Sequence, residues 1–196
     1  MAERRATVTR ETSETQIEVT LDLDGGRVGV ETGVPFFDHM LDQLGRHGRF
    51  GLAVAATGDL EIDAHHTVED VGIALGEALT QALADKRGIA RYGHALVPME
   101  ECLAEVALDI SGRPLLVYDA TIPSQAIGQF DVGLTEDFLQ ALARAAGLTL
   151  HVTLRYGRDA HHAVEAMFKA LARALGEAVS IDPRSRDEVP STKGIL

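Results

Sequence analysis

The stretch DAHHTVEDVGIALGEALTQAL, residues 63–83, returns 96 residues later as DAHHAVEAMFKALARALGEAV, residues 159–179. Eleven of the 21 aligned positions are identical without a gap, more than two amphipathic helices share by chance. Working outward, VTLDLDGG (19–26) matches VALDISGR (106–113) at an offset of 87, and DHMLDQLGR (38–46) matches EDFLQALAR (136–144) at an offset of 98. The offsets change in the loops, chiefly in the Pro- and Gly-containing stretch 121–132. The chain reads as one unit written twice within a single domain, 1–196: repeat 1 spans about 5–90, repeat 2 about 91–180, and a polar tail covers 181–196.

Alternating apolar residues predict strands over 5–12, 15–24 and 27–33, with turns near Glu14 and at Gly25-Gly26. A helix over 36–47, a strand over 50–57 and a helix over 65–85 follow. The second half repeats the order, with strands near 92–98, 102–110 and 114–120, a helix over 134–146, a strand over 148–155 and a helix over 160–179. The fold class is α+β: a duplicated βββαβα unit, two four-stranded sheets with the helices packed between them. The helix layers are expected to meet over Val71, Leu75 and Leu79 and their mates Met167, Leu171 and Leu175. The tail IDPRSRDEVPSTKGIL has two prolines and no helical period, so it reads as disordered when free.

Composition narrows the function. No apolar run approaches the roughly 18–20 residues of a membrane span, and the N-terminus has no apolar core of a secretory signal. A single cysteine, Cys102, fits a reducing cytoplasm. The net charge of −12 argues against nucleic acid, whose affinity rests on cations meeting phosphates. It leaves room for a small anion, because a few focused cations suffice. Those cations are 15 arginines and the lysines 86, 169 and 193. Eight histidines against three tyrosines and no tryptophan is the compositional oddity.

Four of those histidines lie in the doubled motif His65-His66-Thr67-Val68-Glu69 and His161-His162-Ala163-Val164-Glu165. Helix neighbours diverge by about 100°, whereas i,i+3 and i,i+4 pairs share a face. Each Glu can therefore stand beside either His while the two imidazoles point apart, which suits two metal sites that each take one His of a pair. The repeat adds His39 and, 98 residues on, Asp137. The set is His39, His65, His66 and Glu69 from one half and Asp137, His161, His162 and Glu165 from the other. Eight side chains give two metals four ligands each, and octahedral ions keep positions open for chemistry. The mixed donors favour Mn2+ or Fe2+ and also admit Zn2+. On the residues alone, a metal store and a di-metal oxidase or hydrolase remain as alternatives. Asp137 has its own alternative, a first-turn aspartate set against the helix dipole for ~0.3–1 kcal/mol; His151 is then the substitute ligand to test. His47, His94 and His151 stand outside the doubled pattern and read as structural or solvent-facing.

VPFFDHML (34–41), GDLEIDAHHTVED (58–70), KRGIARYG (86–93), LDISGRP (108–114), GRDAHHAVEA (157–166) and PSTKG (190–194) together resemble the imidazoleglycerol-phosphate dehydratase family over essentially the whole chain. The resemblance implies a cytoplasmic hydro-lyase of histidine biosynthesis with two Mn2+ per chain. It also implies a 24-subunit homo-oligomer whose active sites are shared between neighbouring chains. The reaction implied is loss of water from D-erythro-imidazole-glycerol phosphate to give imidazole-acetol phosphate, through a metal-bound imidazolate and a diazafulvene-like intermediate. The family pattern makes ligands of His39 and both HHxxE motifs, and commonly has histidine where this chain has Asp137. It makes Arg91, Arg113, Ser191 and Lys193 phosphate contacts and sets Glu14 against the substrate hydroxyls. Gln43, on the helix after His39, is a further candidate to face the substrate. Glu165 is the expected proton acceptor, with Glu69 and Glu14 as the other catalytic carboxylates.

Overall fold

A computed structural model describes residues 3–194. Its elements run β1 Arg5–Glu11, β2 Thr15–Asp22, β3 Val28–Glu31, α1 Pro35–Gly48, β4 Gly51–Gly58 and α2 His65–Leu83 in the first half. The second half has β5 Tyr92–Met99, β6 Cys102–Asp109, β7 Leu115–Asp119, β8 Ala126–Ile127, β9 Phe130–Asp131, α3 Leu134–Ala146, β10 Thr149–Tyr156 and α4 Ala160–Ala178. The two large sheets have the same topology, β1-β2-β4-β3 and β5-β6-β10-β7, each antiparallel except for one parallel pair. This is the expected α+β duplication.

The helices cross between halves. α2 lies on β1 and β2 of its own sheet and packs against α3 of the other half, while α4 lies on β5 and β6 and packs against α1. Val71, Leu75, Leu79, Met167, Leu171 and Leu175 are all buried as expected. Gly72 and Gly76 of α2, however, leave no room for a side chain against α3. A Cβ on Gly76 would lie 2.6 Å from Ala145 Cβ and 2.9 Å from the Leu142 carbonyl oxygen; one on Gly72 would lie 2.9 Å from the Phe138 carbonyl oxygen. One turn apart on the same face, the two glycines let the backbones touch.

Local chemistry sets the helix starts that carry the candidate ligands. Asp38 accepts bonds from the Thr32 amide (2.8 Å) and hydroxyl (2.5 Å), tying α1 to the end of β3. Buried Asp70 accepts from Arg10 Nε (2.7 Å) and the Thr15 hydroxyl (2.5 Å), latching α2 onto the β1–β2 hairpin. Asp159 caps α4 by accepting from the His162 amide.

Two features depart from expectation. The stretch 121–132 is more than a loop: β8 and β9 pair around Gly128 and bury Phe130 against Phe36, with ring centroids 5.1 Å apart. The tail is also ordered by contact. Ile181 bridges Ile89, the Gly88 amide donates to the Glu188 carbonyl, and Arg87 and Arg91 donate to the carbonyls of Asp187 and Pro190. Backbone amides and arginines of 87–91 supply partners that composition alone does not reveal. Ile195 and Leu196 lie outside the described residues.

Because α2 and α3 meet backbone to backbone, Gly76→Ala is expected to cost about 1–3 kcal/mol despite alanine's better helix propensity. Glu77→Ala, on the exposed side of the same turn, is expected to be near neutral. Denaturant unfolding of the two variants checks this.

Candidate metal and substrate site

The helix crossing brings together residues from different repeats. His39 at the start of α1 meets His161 and Glu165 of α4, and one ligand atom from each lies within 4.8 Å of the others. Glu165 Oε2 is 3.4 Å from His39 Nε2 and 3.1 Å from His161 Nε2. An ion held at about 2.1 Å places neighbouring donors about 3 Å apart, so these separations fit a divalent cation. The pseudo-symmetric counterpart pairs His65 Nδ1 of α2 with Asp137 Oδ2 of α3 at 3.2 Å. Asp137 thus reaches across the repeats rather than closing onto its own helix end. Packing of α1 on α4 and of α2 on α3 brings His39, His161 and Glu165 together on one side and His65 and Asp137 on the other, while His66, His162 and Glu69 stay apart from these groups.

The two clusters are unequal. Lys169, one turn after Glu165, sets Nζ 2.7 Å from Glu165 Oε1; the matching position after Glu69 is Ile73. Glu69 is half-buried and has no side-chain hydrogen bond among the described residues. Glu165 is only 7% exposed. Burial opposes its charge, yet the Lys169 hydrogen bond and charge, followed by those of His39, hold its carboxyl below the ordinary carboxylate range. Phe36 meets the His161 ring edge-on at 5.1 Å. It also lines a cleft of about 730 Å³ bounded by His65, Asp137 and Phe130, a volume suited to a small molecule.

The second histidine of each motif turns away, its ring at 73° to His65 in one case and 80° to His161 in the other. His162 Nδ1 is 3.0 Å from Glu101 Oε2, and His66 Nδ1 is 3.0 Å from Asp59 Oδ2 and 3.8 Å from Glu14 Oε2. Hydrogen bonds to Glu101 and Asp59 raise the pKa of these imidazoles. Neither Glu101, Asp59 nor Lys169 came out of the sequence reading. Glu101 was within reach of it, because the offset of 87 carries Glu14 onto Glu101.

The candidate phosphate residues gather elsewhere. Arg91 holds Asp109 with two bonds (2.7 and 3.0 Å), donates to the Pro190 carbonyl next to Ser191, and shares Asp109 with exposed Arg113 at 3.9 Å. Lys193 is exposed beyond them, its amide bonded to the Ser191 hydroxyl. Gln43 pairs with His47 at 3.0 Å. His94 is exposed on β5, and His151 is exposed on β10 between Ala107 and Val117. No described helix is long and apolar enough to cross a membrane.

A duplicated α+β chain with a His–Glu cluster at metal-ligand spacing and a His–Asp pair lining a cleft of small-molecule size has the features of a metal-assisted enzyme. Residues 32–175 match the family model for imidazoleglycerol-phosphate dehydratase. The Symbiobacterium thermophilum protein of that name is 60% identical over all of this chain and 94% of its own length. The Paracoccus denitrificans protein is 60% identical over 98% of this chain and its whole length. Crystal structures of the enzymes from Staphylococcus aureus and Pyrococcus furiosus superpose with TM-scores of 0.84 each, at 38% and 37% identity, over 91% and 96% of this chain and 99% and 100% of theirs. The chain belongs to the imidazoleglycerol-phosphate dehydratase family, hydro-lyases of histidine biosynthesis.

Removing Lys169's charge tests the electrostatics of the larger cluster. In metal-free protein, Lys169→Met is expected to cost about 2–3 kcal/mol, and added Mn2+ is expected to recover most of it by supplying positive charge to Glu165. A carboxyl with a depressed pKa stabilises the fold above its unfolded value and loses that contribution as pH falls through the folded value. The difference between wild type and variant is therefore full at neutral pH and shrinks only as pH falls below the ordinary carboxylate range and through Glu165's lowered value, as acid unfolding of the two proteins checks.

Proposed function

We propose that the chain dehydrates D-erythro-imidazole-glycerol phosphate at sites holding two Mn2+ per chain. The ligands are His39, His65, His66, Glu69, Asp137, His161, His162 and Glu165, and the catalytic unit spans the whole domain, 1–196, with 181–196 as its substrate-binding segment. The observation that carries this reading is the closure of His39 onto His161 and Glu165, from opposite repeats, at ligand-like spacing. Bound at the imidazole nitrogens, the ions would lower the ring N–H pKa and favour departure of the hydroxyl on the adjacent carbon.

The chain's own groups do the rest. Arg91, Arg113, Ser191 and Lys193 hold the phosphate by charge-assisted hydrogen bonds. Glu14 orients the hydroxyls, with Gln43 beside the ring. Glu165 accepts the carbon-bound proton, with Glu69 as its counterpart at the pseudo-symmetric site. Glu165's depressed pKa makes it a weak base, so the C–H must first be acidified by loss of the neighbouring hydroxyl.

One distance argues that sites are shared between copies. The Arg91 amide bonds to the Ala178 carbonyl at the C-terminal end of α4, whereas His161 and His162 open that helix. Nineteen helical residues span about 27 Å. The three-carbon substrate chain reaches less than about 10 Å from ring to phosphate. Metal end and phosphate end of one chain would therefore serve different substrate molecules, which supports a homo-oligomer with shared sites; the count of 24 rests on the family resemblance alone. Buried Cys102 suits a reducing cytoplasm. Neither nucleic acid nor membrane enters the reading.

Mn2+-loaded protein mixed with imidazoleglycerol phosphate should develop the alkaline enol absorbance of the keto product; its absence overturns the activity and favours a metal store. Asp137→Ala should lose one of two tightly bound ions and nearly all turnover. Asp137→His should keep activity and shift preference towards Zn2+ or Ni2+. Two tight ions and near-normal kcat in Asp137→Ala would reduce that residue to a helix-end charge.

Assembly gives a separate test. Chelation should dissociate the particle into small oligomers and Mn2+ should restore it, as sedimentation velocity reads directly. An unchanged profile after complete metal removal counts against ligands shared between copies.

A further inference from the structure

The repeat pairs Glu14 with Glu101 and His66 with His162, but the two halves use these residues differently. In the second half Glu101, in the β5–β6 turn, does two jobs. Its Oε2 lies 3.0 Å from His162 Nδ1. Its Oε1 accepts from the amides of Arg158 and Asp159 at 3.2 and 2.8 Å and from the Cys102 thiol at 3.4 Å. In the first half Glu14 stands back at 3.8 Å from His66 Nδ1, and Asp59 takes the position instead, with both oxygens at 3.0 and 3.2 Å. The bulge between Leu154 and Tyr156 shifts the match to an offset of 99, which sets Asp59 opposite Arg158, so the second half has no such substitute. Relieved of the histidine, Glu14 is 49% exposed, whereas Glu101 is 26% exposed.

A carboxylate only accepts, so each Nδ1 carries a proton, and in the neutral ring, the form that binds an ion, the lone pair is then on Nε2. We propose that Glu101 and Asp59 are positioning residues that fix His162 and His66 in the Nδ1-protonated tautomer and offer Nε2 to an ion, and that Asp59 thereby frees Glu14 for the substrate. This rests on the reading of His66 and His162 as metal ligands. It explains why one member of a duplicated glutamate pair serves the ring of a ligand and the other serves the substrate.

The two carboxylates differ in a way that makes the proposal testable. In Glu101→Gln, three donors claim the amide oxygen at the Oε1 position, leaving the NH2 facing Nδ1. That reverses the tautomer and places a proton on Nε2. Asp59 bonds His66 with both oxygens, so Asp59→Asn can turn its carbonyl to Nδ1 and keep the tautomer. Mn2+ titrated into the metal-free full-length protein, followed by the EPR signal of free Mn2+, reads this independently of turnover. Glu101→Gln should bind one of its two ions about 10–100-fold more weakly, with thermal unfolding of the metal-free protein unchanged. Asp59→Ala should show a comparable loss and Asp59→Asn should retain near wild-type binding. Glu14→Gln should bind both ions normally while kcat/KM falls.

Wild-type Mn2+ affinity in Glu101→Gln overturns the assignment of Glu101, and equal losses in Asp59→Asn and Asp59→Ala overturn the tautomer argument for Asp59. Metal loss in Glu14→Gln overturns the division of labour. His162→Ala separates this proposal from the reading beneath it. If that variant binds both ions normally, His162 is no ligand and the underlying reading falls; if it loses an ion while Glu101→Gln does not, only the positioning role falls.

Discussion

Glu165 is a carboxylate with almost no access to water, and the arrangement around it answers that cost. A lone buried anion is strongly disfavoured. Lys169 comes from the same helix at i+4, His161 from the preceding turn and His39 from the other repeat. Placing His39 there requires α1 to lie against α4, and the duplication then brings α3 against α2. The crossing of helices between halves, the close contact at Gly72 and Gly76, and the meeting of His65 with Asp137 belong to one packing solution. The latches Asp38–Thr32, Asp70–Arg10 and Asp159–His162 fix the helix starts within it.

The duplication lets two equivalent helix pairs, α1–α4 and α2–α3, carry two variants of a cluster. Where Lys169 supports Glu165, Ile73 leaves Glu69 without a cationic neighbour on its own helix; where His39 faces one cluster, Asp137 faces the other. Exchange of histidine for aspartate adds negative charge beside His65, while Lys169 adds positive charge beside His161. The two clusters would therefore present different fields to a bound cation although they share one sequence pattern.

Much of the fold was legible because its signals are local and written twice. Strand alternation, helix periodicity and the matched blocks predicted every element of both four-stranded sheets within one or two residues. The HHxxE motifs exposed their divergence through helix geometry alone. The partners across the fold were not legible: nothing in the spacing says that His39 lies nearer Glu165 than Glu69, since that follows from how the layers cross. Lys169 looked like one more charge on a helix. Glu101 and Asp59 sit in turns, where acidic residues are common. The tail read as disordered because its partners are backbone carbonyls and amides of 87–91 and 181–190, which carry no compositional signature.

The length of α4 has a genetic consequence. If the metal cluster at one end and the arginine site at the other serve different substrates, the working unit is the junction between copies and not the chain. Two defective alleles, one altered near His161 and one near Lys193, would each abolish every junction when alone. Coexpressed, they would form some junctions from an intact metal end of one chain and an intact phosphate end of the other. Lesions at opposite ends of the same helix would complement, whereas lesions at the same end would not.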